Sequence, residues 1–241
     1  RMKDAYEAFK SIGAFDRAAS AASQLNINLV RFSRGSDELL RDSVQYSEEG
    51  SSTKASILAL LGLTEFLYNN VTVEAERLLD ESIVLSTALD DKPVQAFALS
   101  AQSEIRSRNL DLDGAREKAI RALELSKQVG DGTSAASALY VLSTIYWMDC
   151  DVKGIESLSS ILEDLQTNGI RLPDSYHSHA EAFLSWAQGD SIAINNMYAK
   201  FRENNLSFSQ AVESAYLLEL GEDEKGKEQL DNVINYATST E

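Results

Sequence analysis

The sequence is poor in the residues that interrupt helices. Its 241 residues include 2 prolines and 12 glycines. Closely spaced strands need frequent turn residues, so this composition disfavours an all-β fold and leaves long stretches in which helices can form. We therefore expect an all-α fold.

Cysteine and long apolar runs are also scarce. The one cysteine, Cys150, has no partner for an internal disulfide, and the first residues lack the apolar core of a secretory signal, which favours a cytoplasmic setting. The longest apolar run, Ile57 to Leu63, is far shorter than the roughly 20 residues that a membrane-spanning helix needs. We expect no membrane-embedded segment.

Basic residues are outnumbered by acidic ones. The chain has 22 lysines and arginines against 38 aspartates and glutamates, a formal charge of −16. No block of basic residues gathers into a stripe that could neutralise phosphates, which argues against nucleic acid and anionic membrane as partners.

A degenerate repeat runs along the chain. The stretch Asn109 to Ala115 recurs in outline as Asp149 to Ile155. Similar turns lie at 69–75, 188–194 and 220–226. From Ala75 onward the steps between the corresponding residues are 40, 40, 39 and 32 residues. This period predicts the repeat units 1–52, 53–92, 93–132, 133–172, 173–206 and 207–241 within a single domain.

Each repeat is predicted to contain two helices. Apolar residues recur three and four apart on both sides of each turn. The second helices end at turn-forming residues, and Pro93 and Pro173 then fall at the start of the next helices. The longer step before Ala75 predicts one extra helix, from Ser36 to Glu49.

Small residues recur at a fixed place in the first helices. They stand about twelve residues before each turn alanine or its equivalent, at Gly62, Ser103, Ser143, Ala182 and Ser214. Two antiparallel helices approach closely only where a side chain is small, so the pattern predicts the same helix crossing in every repeat.

These features resemble the tetratricopeptide repeat family. Residues Gly13 to Ala18 look like the Gly-Asp-aromatic turn of the family, and Leu142-Ser143 with Tyr146 looks like its first-helix pattern. The resemblance implies a right-handed α-solenoid of antiparallel helix pairs that binds another protein or a peptide on its concave surface. Arg106, where the family prefers an aromatic residue, departs from the pattern.

The period of about 40 residues is similar to a longer repeat variant. The segments Leu85 to Asp91 and Leu125 to Asp131 resemble that variant, which occurs in maltose-activator-type bacterial transcription regulators, kinesin light chains and cell-polarity adaptors. Two functions therefore stay open: a passive interaction scaffold, or a ligand-sensing domain of a larger regulator. The chain begins with Arg1 rather than Met, which fits a domain taken from a longer protein.

The residue types and their spacing predict no catalytic, cofactor or metal site. His177 and His179 point in different directions on a helix, and the face shared by Asp174, His177 and Glu181 is more typical of a solvated surface than of a metal site. Cys150 is flanked by two carboxylates and lacks the electropositive setting of a reactive thiol. We expect no enzyme.

A binding groove is predicted on the first helices. In stacked helix pairs these line the concave surface, and residues three and four apart form stripes across neighbouring repeats. The residues expected to face inward are Glu104, Ser107, Arg108, Tyr140, Thr144, Trp147, Tyr176, His179, Phe183 and Trp186. Aromatic side chains with polar edges are enriched in binding sites, and this mixed groove fits a peptide better than a lipid. The alternative is that both tryptophans fill the core between repeats.

Overall fold

The computed structural model describes residues 2–25, 37–69, 71–173, 214, 217, 218 and 221–239. The chain divides into two compact units, residues 1–180 and residues 181–241. The first unit contains nearly all of the described residues and is presented first.

The fold is all-α, as predicted. The described residues form α-helices and one π-helical turn, with no strand among them. Numbered along the described part of the chain, the helices of the first unit are α1 (Met2–Ser11), α2 (Phe15–Ser23), α3 (Asp37–Tyr46), α4 (Ser52–Thr64), the π-helix (Glu65–Asn69), α5 (Thr72–Ala88), α6 (Lys92–Arg108), α7 (Leu112–Val129), α8 (Gly132–Met148) and α9 (Val152–Thr167). The extra helix expected between Ser36 and Glu49 is confirmed as α3.

Four consecutive turns share one conformation. Each contains a residue with positive φ, followed by an aspartate whose N–H donates to the carbonyl five residues earlier. The positive-φ residues are Asp90, Leu110, Gly130 and Cys150. Only one is glycine, although glycine adopts this conformation at the lowest cost.

The aspartate of each turn also begins the next helix. The carboxylates of Asp91, Asp111, Asp131 and Asp151 accept hydrogen bonds from backbone N–H groups two or three residues later. Aspartate is a preferred residue at this position because it satisfies an amide that has no partner within the helix. One local motif thus both ends a helix and starts its successor.

Successive helices pack into two layers. Helix α4 contacts α6, and α6 contacts α8, so these three first helices lie side by side. Helix α5 packs on both α4 and α6, and α7 packs on both α6 and α8. The Ser82 hydroxyl on α5 donates to the Ala55 carbonyl on α4 at 2.7 Å, which places the end of one helix beside the start of the other. The paired helices are therefore antiparallel.

Small residues lie at the crossings within the pairs, as the sequence indicates. A Cβ atom at Gly62 would stand 2.9 Å from Leu79 Cγ and 3.0 Å from the Ala75 carbonyl oxygen, so α4 and α5 approach to backbone contact there. The corresponding Ser103 and Ser143 are fully buried. Large side chains at these positions would separate the helices.

The π-helix accounts for an irregularity in this spacing. Ser103 and Ser143 precede their turn residues Ala115 and Ile155 by 12 positions, whereas Gly62 precedes Ala75 by 13. A π-helical turn accommodates one extra residue within an α-helix. The turn at Glu65–Asn69 lies between Gly62 and Ala75, and it absorbs the extra residue without shifting the start of α5.

The second unit is described in part. Its helix α10 (Asp223–Ser239) follows a turn at Gly221, which has a φ of 75°. A Cβ atom at Gly226 would stand 3.1 Å from the carbonyl oxygen of Ser214, which is buried. The small residue and the turn residue therefore meet here as they do at Gly62 and Ala75. The division of the whole chain into six repeat units stays a prediction.

Candidate functional site

Three of the predicted groove residues lie at the end of α6. Glu104 is buried, with its carboxylate 2.9 Å from the guanidinium of Arg108. Ser107 is half-buried and Arg108 is exposed. The Arg108 guanidinium also lies over the ring of Phe66, 5.2 Å from its centroid. This ion pair holds the arginine against the neighbouring π-helix.

Three further predicted residues lie on one face of α8. Tyr140, Thr144 and Trp147 are all half-buried, and the Thr144 hydroxyl donates to the Tyr140 carbonyl at 2.9 Å. The other predicted groove residues, Tyr176, His179, Phe183 and Trp186, lie outside the described residues, as do Asp174, His177 and Glu181. The groove as a whole stays a prediction.

A pocket of about 430 Å³ lies at the opposite ends of the same helices. It lies beside the middle of α4 and the starts of α6 and α8, and residues at the end of α2 also line it. The lining residues are Ser23, Gln24, Leu25, Ser56, Leu60, Pro93, Val94, Phe97, Asp131, Thr133 and Ser134. Four helices that are distant in sequence thus contribute to one cavity.

The pocket and the predicted residues share a helix face. On α6, Pro93 and Phe97 precede Glu104 by 11 and 7 positions. On α8, Thr133 precedes Tyr140 by 7 positions. Since residues three, four or seven apart stand on one side of a helix, both sets belong to the same side of the first-helix layer. The predicted groove does not include the pocket, because the residues predicted for it lie only in the second half of each helix.

The pocket combines an apolar surface with hydroxyl groups. Leu25, Leu60 and Phe97 are among its apolar lining residues, and Leu25 and Leu60 are buried. The side-chain hydroxyls of Ser56, Thr133 and Ser134 form no hydrogen bond with the residues that the structure describes. Ser134 lines the pocket and is 2% exposed, so its hydroxyl has little access to bulk water. The polar groups are therefore available to a ligand.

A second, smaller pocket surrounds a buried tyrosine. Tyr6 on α1 is 1% exposed, and its hydroxyl donates to Asp42 Oδ2 on α3 at 2.5 Å. The Lys10 ammonium also donates to Asp42. Burial, followed by the hydrogen bond to Asp42, raises the pKa of Tyr6 to about 12. Lys10 and then Tyr6 hold the pKa of Asp42 below its usual value. Because these groups satisfy one another, the cluster joins α1 to α3 and offers little to a ligand.

Because the pKa of Tyr6 is raised, the stability of the fold decreases as the pH becomes alkaline. The fold favours the neutral phenol, so this contribution is present below about pH 10 and is lost as the pH rises from about 10 to about 12. We expect the free energy of unfolding to fall by roughly 2 to 3 kcal/mol more over this interval in the wild type than in Tyr6→Phe. Urea denaturation at a series of pH values measures the difference, and parallel curves would contradict the assignment.

Metal-binding clusters and membrane-spanning helices are absent from the residues that the structure describes. The described residues contain no group of three or more His, Cys, Asp or Glu side chains able to hold a metal ion. None of the described helices has both the length and the apolar character required to cross a bilayer. Cys150 is exposed and has a φ of 53°, so it lies in a turn, as the repeat of residues 149–155 predicts.

No protein-family model and no curated protein sequence matches this chain. The similarity to the tetratricopeptide repeat family rests on the residues of this chain alone. We therefore infer a function from the shape and chemistry of the first-helix layer.

Proposed function

We propose that this chain is a non-catalytic module that binds a protein or peptide on the face formed by α4, α6 and α8. In this proposal the helix pairs continue as a right-handed solenoid of the tetratricopeptide type, and the face is its concave surface. The pocket of about 430 Å³ is one anchoring point for the bound segment.

The observation that carries the proposal is that one pocket touches three successive first helices. A peptide that crosses the helices can contact each of them in turn, and it can place a side chain in a cavity of this size. Sites of this kind bind chiefly through a few apolar or aromatic anchors. Phe97, which is half-buried and lies on the central helix of the three, is the anchor that we assign on the protein side.

The lining of the pocket supports binding rather than catalysis. Asp131 is the one ionisable side chain among the described lining residues, and its Oδ1 atom already accepts hydrogen bonds from the N–H groups of Thr133 and Ser134. Among the lining residues that the structure describes, no histidine or lysine is present to activate the hydroxyl groups of the pocket. A nucleophile requires such a base.

Selection of peptides from a random phage-displayed library on the folded chain tests the proposal. We expect the selected peptides to bind Phe97→Ala about 30-fold more weakly, as measured by isothermal titration calorimetry, because truncation of an anchor costs about 2 kcal/mol. Val84→Ala is the control, since Val84 is 67% exposed on α5 and does not line the pocket. Melting temperatures of both variants establish that the fold persists. If well-folded Phe97→Ala binds the peptides as tightly as Val84→Ala does, the proposed face is wrong.

A further inference from the structure

We infer that the pocket is selective for peptide segments in which an apolar side chain stands beside a lysine or arginine. This inference rests on the proposed function, because it names the chemistry of the ligand for the same face. It is carried by three properties of the pocket: an apolar surface, hydroxyl groups that make no hydrogen bond with the described residues, and a carboxylate.

The apolar surface selects one side chain of the ligand. Leu60 from α4 and Val94 and Phe97 from α6 present hydrocarbon to the cavity, and Leu25 lines it at the end of α2. Burial of an aliphatic or aromatic side chain away from water is favourable in proportion to the apolar area removed from water. A ligand without such a side chain would leave this surface in contact with water.

The hydroxyl groups select a peptide rather than a hydrocarbon chain. Ser56, Thr133 and Ser134 line the same cavity, and their side chains make no hydrogen bond within the described part of the chain. A hydroxyl can donate and accept, and a peptide backbone offers an N–H and a C=O group at nearly every residue. A lipid tail would cover these hydroxyls without satisfying them, and that costs binding free energy.

The carboxylate selects a cation beside the apolar side chain. The Oδ1 atom of Asp131 accepts two backbone hydrogen bonds, and no Lys or Arg among the described residues forms an ion pair with this side chain. Lys92, the first residue of α6, carries a positive charge, but the negative charges of Asp90 and Asp91, which directly precede it, offset that charge. A cationic group of the ligand would complete the Asp131 site.

An anionic ligand is the competing interpretation, because α6 and α8 begin at the pocket and helix N-termini attract negative charge. Both N-termini are already capped by carboxylates: Asp91 accepts from the Val94 N–H, and Asp131 accepts from two N–H groups. Each carboxylate carries a full negative charge against about half a positive charge at a helix terminus. The formal charge of −16 adds to the repulsion of anions and the attraction of cations. The balance favours a cation.

The experiment compares two aspartates with the same local role. Asp131→Asn removes the charge at the pocket but keeps an oxygen that caps α8, since asparagine caps helices as well as aspartate does. Asp151→Asn makes the same change at the start of α9, where Asp151 accepts from the Gly154 N–H and does not line the pocket. The probes are the peptides selected from the random library, and their affinities are measured at low and at physiological salt.

We expect the selected peptides to be enriched in Lys or Arg within two residues of Leu, Ile, Met or Phe. Asp131→Asn should weaken their binding about tenfold and flatten its salt dependence, while Asp151→Asn should change the affinity less than twofold. Peptides that depend on Phe97 but are acidic or neutral, or that bind Asp131→Asn unchanged, would overturn the inference and leave the proposed function standing. Failure to select any peptide that depends on Phe97 would overturn both.

Discussion

Arg41→Ala is expected to lower the free energy of unfolding by about 3 kcal/mol. The guanidinium of Arg41 on α3 forms an ion pair with Glu65, whose side chain is 1% exposed at the start of the π-helix. The other oxygen of that carboxylate accepts from Asn69 Nδ2 at 3.0 Å. Removing the arginine leaves a buried charge with one neutral partner, and such losses cost about 3–5 kcal/mol. We place the value at the lower end because Arg41 is half exposed.

A double-mutant cycle separates the ion pair from the rest of the arginine side chain. Glu65→Gln in the Arg41→Ala background removes the buried charge, so we expect the double variant to be more stable than Arg41→Ala alone. Urea denaturation of the wild type, Arg41→Ala, Glu65→Gln and the double variant gives the coupling free energy between the two residues. Arg77→Ala is the control, since Arg77 pairs with Glu74 and Glu81 on the exposed side of α5, where ion pairs contribute about 0–1 kcal/mol. If Arg41→Ala and Arg77→Ala lower the free energy of unfolding equally, the buried carboxylate of Glu65 does not depend on its ion pair with Arg41.

Ser143→Leu is expected to destabilise the first unit by about 3 kcal/mol. Ser143 is fully buried on α8, and its hydroxyl donates to the Tyr140 carbonyl at 2.8 Å. It occupies the position in its repeat that Gly62 occupies two repeats earlier, where a Cβ atom would already meet Leu79. Overpacking of a filled core typically costs about 1–3 kcal/mol, and a site with no free space falls at the upper end.

Two further substitutions make this test specific. Ser143→Ala keeps the small volume, so we expect a loss below about 1 kcal/mol. Ser157→Leu makes the same chemical change on the exposed side of α9 and should stay within about 0.5 kcal/mol of the wild type. A melting temperature of Ser143→Leu equal to that of Ser157→Leu would show that α8 and its neighbours are not tightly packed at this position.

The π-helix and the predicted groove are physically connected. Phe66, within the π-helix, lies under the guanidinium of Arg108, and Arg108 in turn holds the buried carboxylate of Glu104. Glu65, the residue before Phe66, binds Arg41. Adjacent residues of the π-helix thus contact both Arg41 on α3 and the predicted groove residue Arg108 on α6.

The local features of this protein could be predicted from its sequence. The all-α fold class follows from the shortage of proline and glycine and from the spacing of apolar residues three and four positions apart. The turns could be located because turn-forming residues act on the backbone beside them, and the crossings because a small residue recurs at a fixed place in the first helices. Ser103 and Ser143 are buried, as expected of residues at a crossing, and Cys150 lies in a turn.

Other features were decided only by the tertiary structure. The ion pair of Arg41 with Glu65 joins residues 24 positions apart, and no periodic pattern marks either of them. The pocket joins the end of α2 to the middle of α4 and the starts of α6 and α8, and Asp131 became a candidate ligand-binding group only because α8 lies beside α6. Periodicity fixes which side of a helix is buried, but a cavity depends on the distances between helices, and those are set by the packing of many side chains at once.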